Sequence, residues 1–176
     1  MSAYAVESVA YHEAGHAIAF MYLGIPLSGL HCGPDGGVTI PSRLGSPRAR
    51  IIATMAGSKA ARMAGLFDAG EASVEDAEIG LEALGDLRDC PDTHRRYRAE
   101  TEAILSKTWF QVVFLAAQLA DDRDMDREDI ARLCRQPGSP LMVYSALYPR
   151  AKALSRPAKT LLRRSGWVSI QTKAFP

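Results

Sequence analysis

Val9-Ala10-Tyr11-His12-Glu13-Ala14-Gly15-His16-Ala17-Ile18 sets two histidines and a glutamate in a run that carries no other charge. On an α-helix, residues four apart stack on one face, so the rings of His12 and His16 converge on one point. Glu13 stands one step past the first ring, beside that face. This is the His-Glu-x-x-His spacing of a zinc site, in which two imidazoles hold the metal and the carboxylate takes a proton from the water that the metal activates. Uncharged Ala14, Gly15, Ala17 and Ile18 fit a helix whose other faces are buried. The expectation is Glu13 as catalytic group, with His12 and His16 as ligands of Zn2+.

Outward from this stretch, the apolar pattern predicts a first helix from about residue 3 to 23, ended by Gly24 and Pro26. Two β-prone runs, 27–32 and 37–40, flank the turn-forming Gly33-Pro34-Asp35-Gly36 and predict a hairpin. Its second strand follows the zinc helix closely enough to border the site and pair with an extended substrate backbone. A core helix is expected over 48–66, with Ile51, Ile52, Met55, Ala56, Ala60, Met63 and Ala64 on one face and Gly57 permitting close approach of another helix. One long helix is expected from Pro91-Asp92 to about Ala120, and a last one from the N-cap Asp126 to Arg135. The expected fold class is mainly α, a helical zinc-peptidase domain with one small β-hairpin after the first helix.

Catalytic zinc takes three protein ligands and a water, so two histidines leave it one short. A third His six residues after His16 is absent, because that position is Tyr22, which excludes the metzincin arrangement. The candidates are the acids Glu71, Glu75, Asp76 and Glu78, in a stretch where Ser73 can cap a helix. Tyr11, His31 and Tyr97 are the candidate donors to a developing oxyanion.

At 176 residues, 47% apolar and 23% charged, the chain can bury a core and is not wholesale disordered. The apolar run 109–120 is too short to span a bilayer and is interrupted by Gln111 and Gln118. With no basic leader before the first helix, a cytoplasmic protein that does not enter a membrane is expected. Cys32, Cys90 and Cys134 are odd in number and irregularly spaced, which predicts free thiols. Residues 1–136 hold 14 basic and 20 acidic side chains, net −6, whereas the remainder holds seven basic and none acidic. The chain therefore divides into a domain over 1–136 and a basic extension over 137–176, which begins at Gln136-Pro137-Gly138-Ser139-Pro140 and complements the body in charge. Nucleic acid is not an expected partner: Arg95, Arg96, Arg98 and Lys107 are offset by Glu100 and Glu102, and the extension's aromatics are scattered.

The order of these parts resembles the peptidase domain of the FtsH-type ATP-dependent zinc metalloproteases. The matching residues are 10–17, the hairpin region 26–40, Met55-Ala56-Gly57, Ala72-Ser73-Val74-Glu75-Asp76, and the closing pair of helices through Asp126-Arg127-Glu128-Asp129-Ile130. The likeness covers roughly residues 3 to 136. It implies that the third zinc ligand is the acid of an Ala-Ser-x-Asp segment, here Asp76, with one extra residue before it that keeps Glu75 a rival. It also implies a zinc metalloendopeptidase that hydrolyses unfolded or partner polypeptides. The 176 residues contain no ATPase module, so a separate ATPase or adaptor is the expected partner, and a monomer or small oligomer is as plausible as a ring. Relatives have a pair of Glu after the core-helix glycine where this chain has Ala61-Arg62. The alternative reading is a catalytically weak or inactive zinc-peptidase-like domain that binds peptides or regulates a partner.

Overall fold

A computed structural model describes residues 3–33, 36–43, 45–66, 91–121, 124–149 and 170–172. Helix α1 (Ala3–Tyr22) carries the quoted stretch, and its Ala10, Ala14, Ala17, Ile18, Ala19, Phe20 and Met21 are all buried. A helix so apolar around its circumference needs neighbours on every side. It ends at Gly24, φ 77°, where the N–H of Ile25 donates to the Phe20 carbonyl at 2.9 Å and that of Gly24 to Met21 at 3.0 Å. These paired bonds require a left-handed residue, the conformation in which glycine carries no steric penalty. The chain then turns back into β1 (Leu27–Gly33), which pairs antiparallel with β2 (Gly36–Pro41), from Leu27↔Pro41 to Gly33↔Gly36. The expected hairpin is present.

Helix α2 (Pro47–Met63) starts where the Ser46 hydroxyl accepts from the Ala49 N–H at 3.2 Å and Pro47 fills the first turn. It crosses α1 at Gly15, where a Cβ would lie 2.5 Å from the Ala56 carbonyl oxygen and 2.6 Å from the Ala60 Cβ. Only small residues allow that approach. Of the predicted core face, Ile51, Ile52, Ala56 and Ala60 are buried and Met55, Met63 and Ala64 are partly so.

The single long helix expected over 91–120 is instead two, α3 (Pro91–Lys107) and α4 (Trp109–Asp121), bent by 76°. The break is at Thr108, whose hydroxyl donates to the Ile104 carbonyl at 2.8 Å while its N–H reaches both Ile104 and Leu105. Such back-bonding from a threonine often accompanies a bend, although Thr101 bonds the Tyr97 carbonyl in the same way at 2.8 Å within the unbroken α3. The bend lets α3 lie along α2, joined by the Arg48–Glu100 and Lys59–Glu102 ion pairs, while α4 turns onto α1. No single helix among the described residues is long and apolar enough to cross a membrane.

Strand β3 (Asp124–Asp126) follows and pairs antiparallel with β1. Its last residue, Asp126, is the expected N-cap of α5 (Arg127–Arg135), and Asp129 completes a capping box with it. A 3-10 helix, Pro140–Leu147, then returns to the common core: Leu141, Tyr144 and Tyr148 are buried, and the Tyr148 hydroxyl accepts from the Leu27 N–H at 2.8 Å. Strand β4 (Ile170–Thr172) pairs antiparallel with β2 and completes a four-stranded sheet in the order β3-β1-β2-β4. The molecule is mainly helical with this small antiparallel sheet, the expected class. The two outer strands are additions to the predicted hairpin.

Candidate metal centre

His12, Glu13 and His16 sit in the middle of α1, 2%, 0% and 0% exposed, with one potential ligand atom from each within 4.8 Å of the others. Helical spacing puts the two rings on one face, 4.6 Å apart between centroids. Helix α2 then orients them. The Ala53 carbonyl lies 2.6 Å from Nδ1 of His16, and because a carbonyl only accepts, Nδ1 carries the proton. With Nδ1 so engaged, Nε2 is the nitrogen left to act as lone-pair donor, the tautomer a metal requires.

One turn further along α2, Gly57 fits the space in front of both rings. A Cβ there would lie 2.4 Å from His16 Nε2 and 2.6 Å from His12 Nε2. Both Nε2 atoms thus face a cradle that any side chain at position 57 would fill. The donor set of two imidazoles suits a transition-metal ion of the zinc type, and the observed packing leaves the two donors convergent.

Glu13 is held from the opposite side by β2. The Thr39 hydroxyl, fully buried, donates to Glu13 Oε2 at 2.7 Å and lies 3.2 Å from the Glu13 carbonyl oxygen. Gly37, two residues earlier on the same face of the strand, has no room for a Cβ, which would fall 2.3 Å from Glu13 Cγ and 2.6 Å from Oε1. The carboxylate is thereby pressed between α1 and β2, with Oε2 held by the Thr39 hydroxyl.

The structure brings together His12, Glu13 and His16. Asp76, Glu75, Glu71 and Glu78, like Cys90, lie outside the described residues. Of the candidate oxyanion donors, Tyr11 stacks on Trp109 with centroids 5.9 Å apart, His31 pairs with Asp124 at 2.6 Å at the surface, and Tyr97 packs beside Ile51. Cys32 and Cys134 are buried thiols outside any disulfide, and the Cys32 thiol donates to the Val6 carbonyl at 3.7 Å. The strand over 37–40 is expected to border the site, but the particular contacts of Thr39 and Gly37 with Glu13, and of the Ala53 carbonyl with His16, do not follow from the sequence. The period-2 pattern places Gly37 and Thr39 on one strand face, a signal for the pair once one of them is known to meet Glu13.

Compared with protein-family models and with curated protein sequences, the chain gives no match.

Proposed function

We propose that this chain is a zinc-dependent metalloendopeptidase that hydrolyses peptide bonds in extended, unfolded or partner polypeptides, as the likeness to the FtsH-type peptidase domain implies. The observation that carries this reading is a buried carboxylate anchored by Thr39 beside two imidazoles whose Nε2 atoms face one cradle. His12 and His16 would hold the ion through Nε2, and Asp76 is assigned as third ligand ahead of Glu75. When bound, zinc supplies Lewis acidity, lowering the pKa of a water toward about 7 and polarising the scissile carbonyl.

The chain's own groups supply the proton traffic. Thr39 holds Glu13 through Oε2, and the carboxylate so positioned accepts the proton of the attacking water. The same carboxyl group then returns that proton to the departing amine. Ala53 keeps the His16 ring from rotating while this happens. Substrate would be presented as an extended strand, because the edge of β2 lies beside the carboxylate, and a separate ATPase or adaptor would deliver it.

Glu13→Gln preserves size and hydrogen bonding but removes the base. The expected result is normal zinc content, measured by atomic absorption, with cleavage of unfolded casein abolished. Full activity in that variant would sink the mechanism. Zinc binding by the native chain with no cleavage of any unfolded polypeptide would instead favour the binding-module alternative.

A further inference from the structure

Strand β4 lies on the outer edge of β2 in the register Thr39↔Ile170, Val38↔Gln171 and Gly37↔Thr172. Two of those three β2 residues are the ones that touch Glu13: Thr39 by its hydrogen bond and Gly37 by its missing side chain. Strand β1 occupies the other edge of β2, so the strand has one edge to offer, and β4 covers it. An extended polypeptide entering beside Glu13 along β2 would need the same backbone N–H and C=O groups. One row of donors and acceptors cannot serve two strands.

We infer that Ile170–Thr172 is an intramolecular occupant of the strand-accepting edge beside Glu13, and that an incoming extended polypeptide must displace it. Its consequence for cleavage rests on the peptidase reading above; the competition for the edge does not. Three paired residues make a short ladder that a longer strand can outbid in number of bonds. What β4 has in its favour is attachment, since a tethered segment competes at an effective concentration on the order of millimolar. The charge split of the chain adds to this, because β4 belongs to the stretch with seven basic and no acidic side chains, opposite a body of net −6. Release would follow when a substrate, adaptor or salt weakens that return.

The test uses the full chain. Successive N–H groups of a strand point to opposite edges, so in Ile170→Pro/Gln171→Pro one of the two prolines removes a donor aimed at β2. Fluorescein-labelled, carboxymethylated casein is titrated by anisotropy into chains carrying Glu13→Gln, with and without the proline pair. The proline chain should bind casein at least ~3-fold more tightly. In a second full-length chain, Val38→Cys/Gln171→Cys places thiols on directly opposed residues, whose Cα atoms in such pairs are about 4.5–5.5 Å apart, within disulfide range. Mild oxidation should form that bond and weaken casein binding at least ~10-fold, and reduction should restore it. Failure of the bond to form, or equal casein affinity with and without the prolines, whether both strong or both absent, overturns the inference. Tighter casein binding by the proline chain, with no cleavage by any chain that retains Glu13, would reject the peptidase reading and leave the edge competition standing.

Discussion

Replacing Gly57 by alanine adds one methyl group in front of both imidazoles, and the structure sets the size of the effect. The new Cβ would stand 2.4 Å from His16 Nε2 and 2.6 Å from His12 Nε2, where ordinary contact begins at 3.4 Å. Each ring would have to retreat by ~1 Å, several times the ~0.2 Å tolerance of a metal–ligand bond. His16 cannot swing away freely, because its Nδ1 is tied to the Ala53 carbonyl at 2.6 Å on the same helix. Zinc affinity should therefore fall at least ~100-fold, about 2.7 kcal/mol. The fold should survive: alanine gains about 1 kcal/mol of helix propensity over glycine, against an overpacking cost of typically 1–3 kcal/mol. The assay is competition for zinc with a chromophoric chelator, with urea unfolding of the metal-free protein in parallel. Ser58→Ala, the next residue along α2, serves as the control. A folded Gly57→Ala chain that binds zinc as tightly as the native one would refute the placement of the metal between the two rings.

Thr39→Val keeps the shape of the side chain but leaves Glu13 Oε2 without its hydroxyl donor, so the metal-free protein should lose about 1–3 kcal/mol in urea unfolding and kcat should fall with KM little changed. Thr39→Ser should restore kcat, and a Val variant as active as the Ser variant would remove Thr39 from the mechanism. Asp76→Asn should abolish stoichiometric zinc binding while Glu75→Gln retains it; the reverse pattern would move the third ligand to Glu75. Burial pushes the Cys134 thiol up from 9.0 to about 11, against a smaller opposing effect of Arg135, and burial, helped by Tyr22 and Cys134, pushes Tyr144 up from 10.0 to about 12. Groups raised on folding hold their protons more tightly folded than unfolded. Their contribution is therefore whole below pH 9.0 and is lost as pH rises through about 11 and then about 12. Urea midpoints taken from about pH 8 upward should decline over that window, and Cys134→Ala should flatten its first part; a midpoint constant to about pH 11 would contradict the assignment.

Much of the helical framework was legible because its signals are local. Gly24 ends α1 and Asp126 opens α5, each through bonds spanning a few residues, whereas α2 begins one residue before the expected Arg48, because Ser46 caps it and Pro47 belongs to its first turn and not to the loop. The hairpin was legible for the same reason. The break at Thr108 was not, since the apolar period runs through it and a threonine alone does not specify whether its hydroxyl will turn back onto Ile104. Nor were the outer strands, because Asp124–Asp126 and Ile170–Thr172 are too short and too polar to announce themselves and exist as strands only through pairing with β1 and β2.

By itself the sequence determined that two imidazoles and a carboxylate share one stretch of helix, because a period of 3.6 residues converts spacing into direction with no help from the rest of the chain. Tertiary structure alone decided what those groups meet. The Ala53 carbonyl that sets the tautomer of His16 is 37 residues away, and the Thr39 hydroxyl that anchors Glu13 is 26 away. Periodicity specifies which face of α1 must be covered, but the partner on that face depends on how α2 and β2 close over it. The emptiness at Gly57 and Gly37 is of the same kind: in sequence each is a glycine, and only the packed fold shows that the missing side chains are the room in which the site is built.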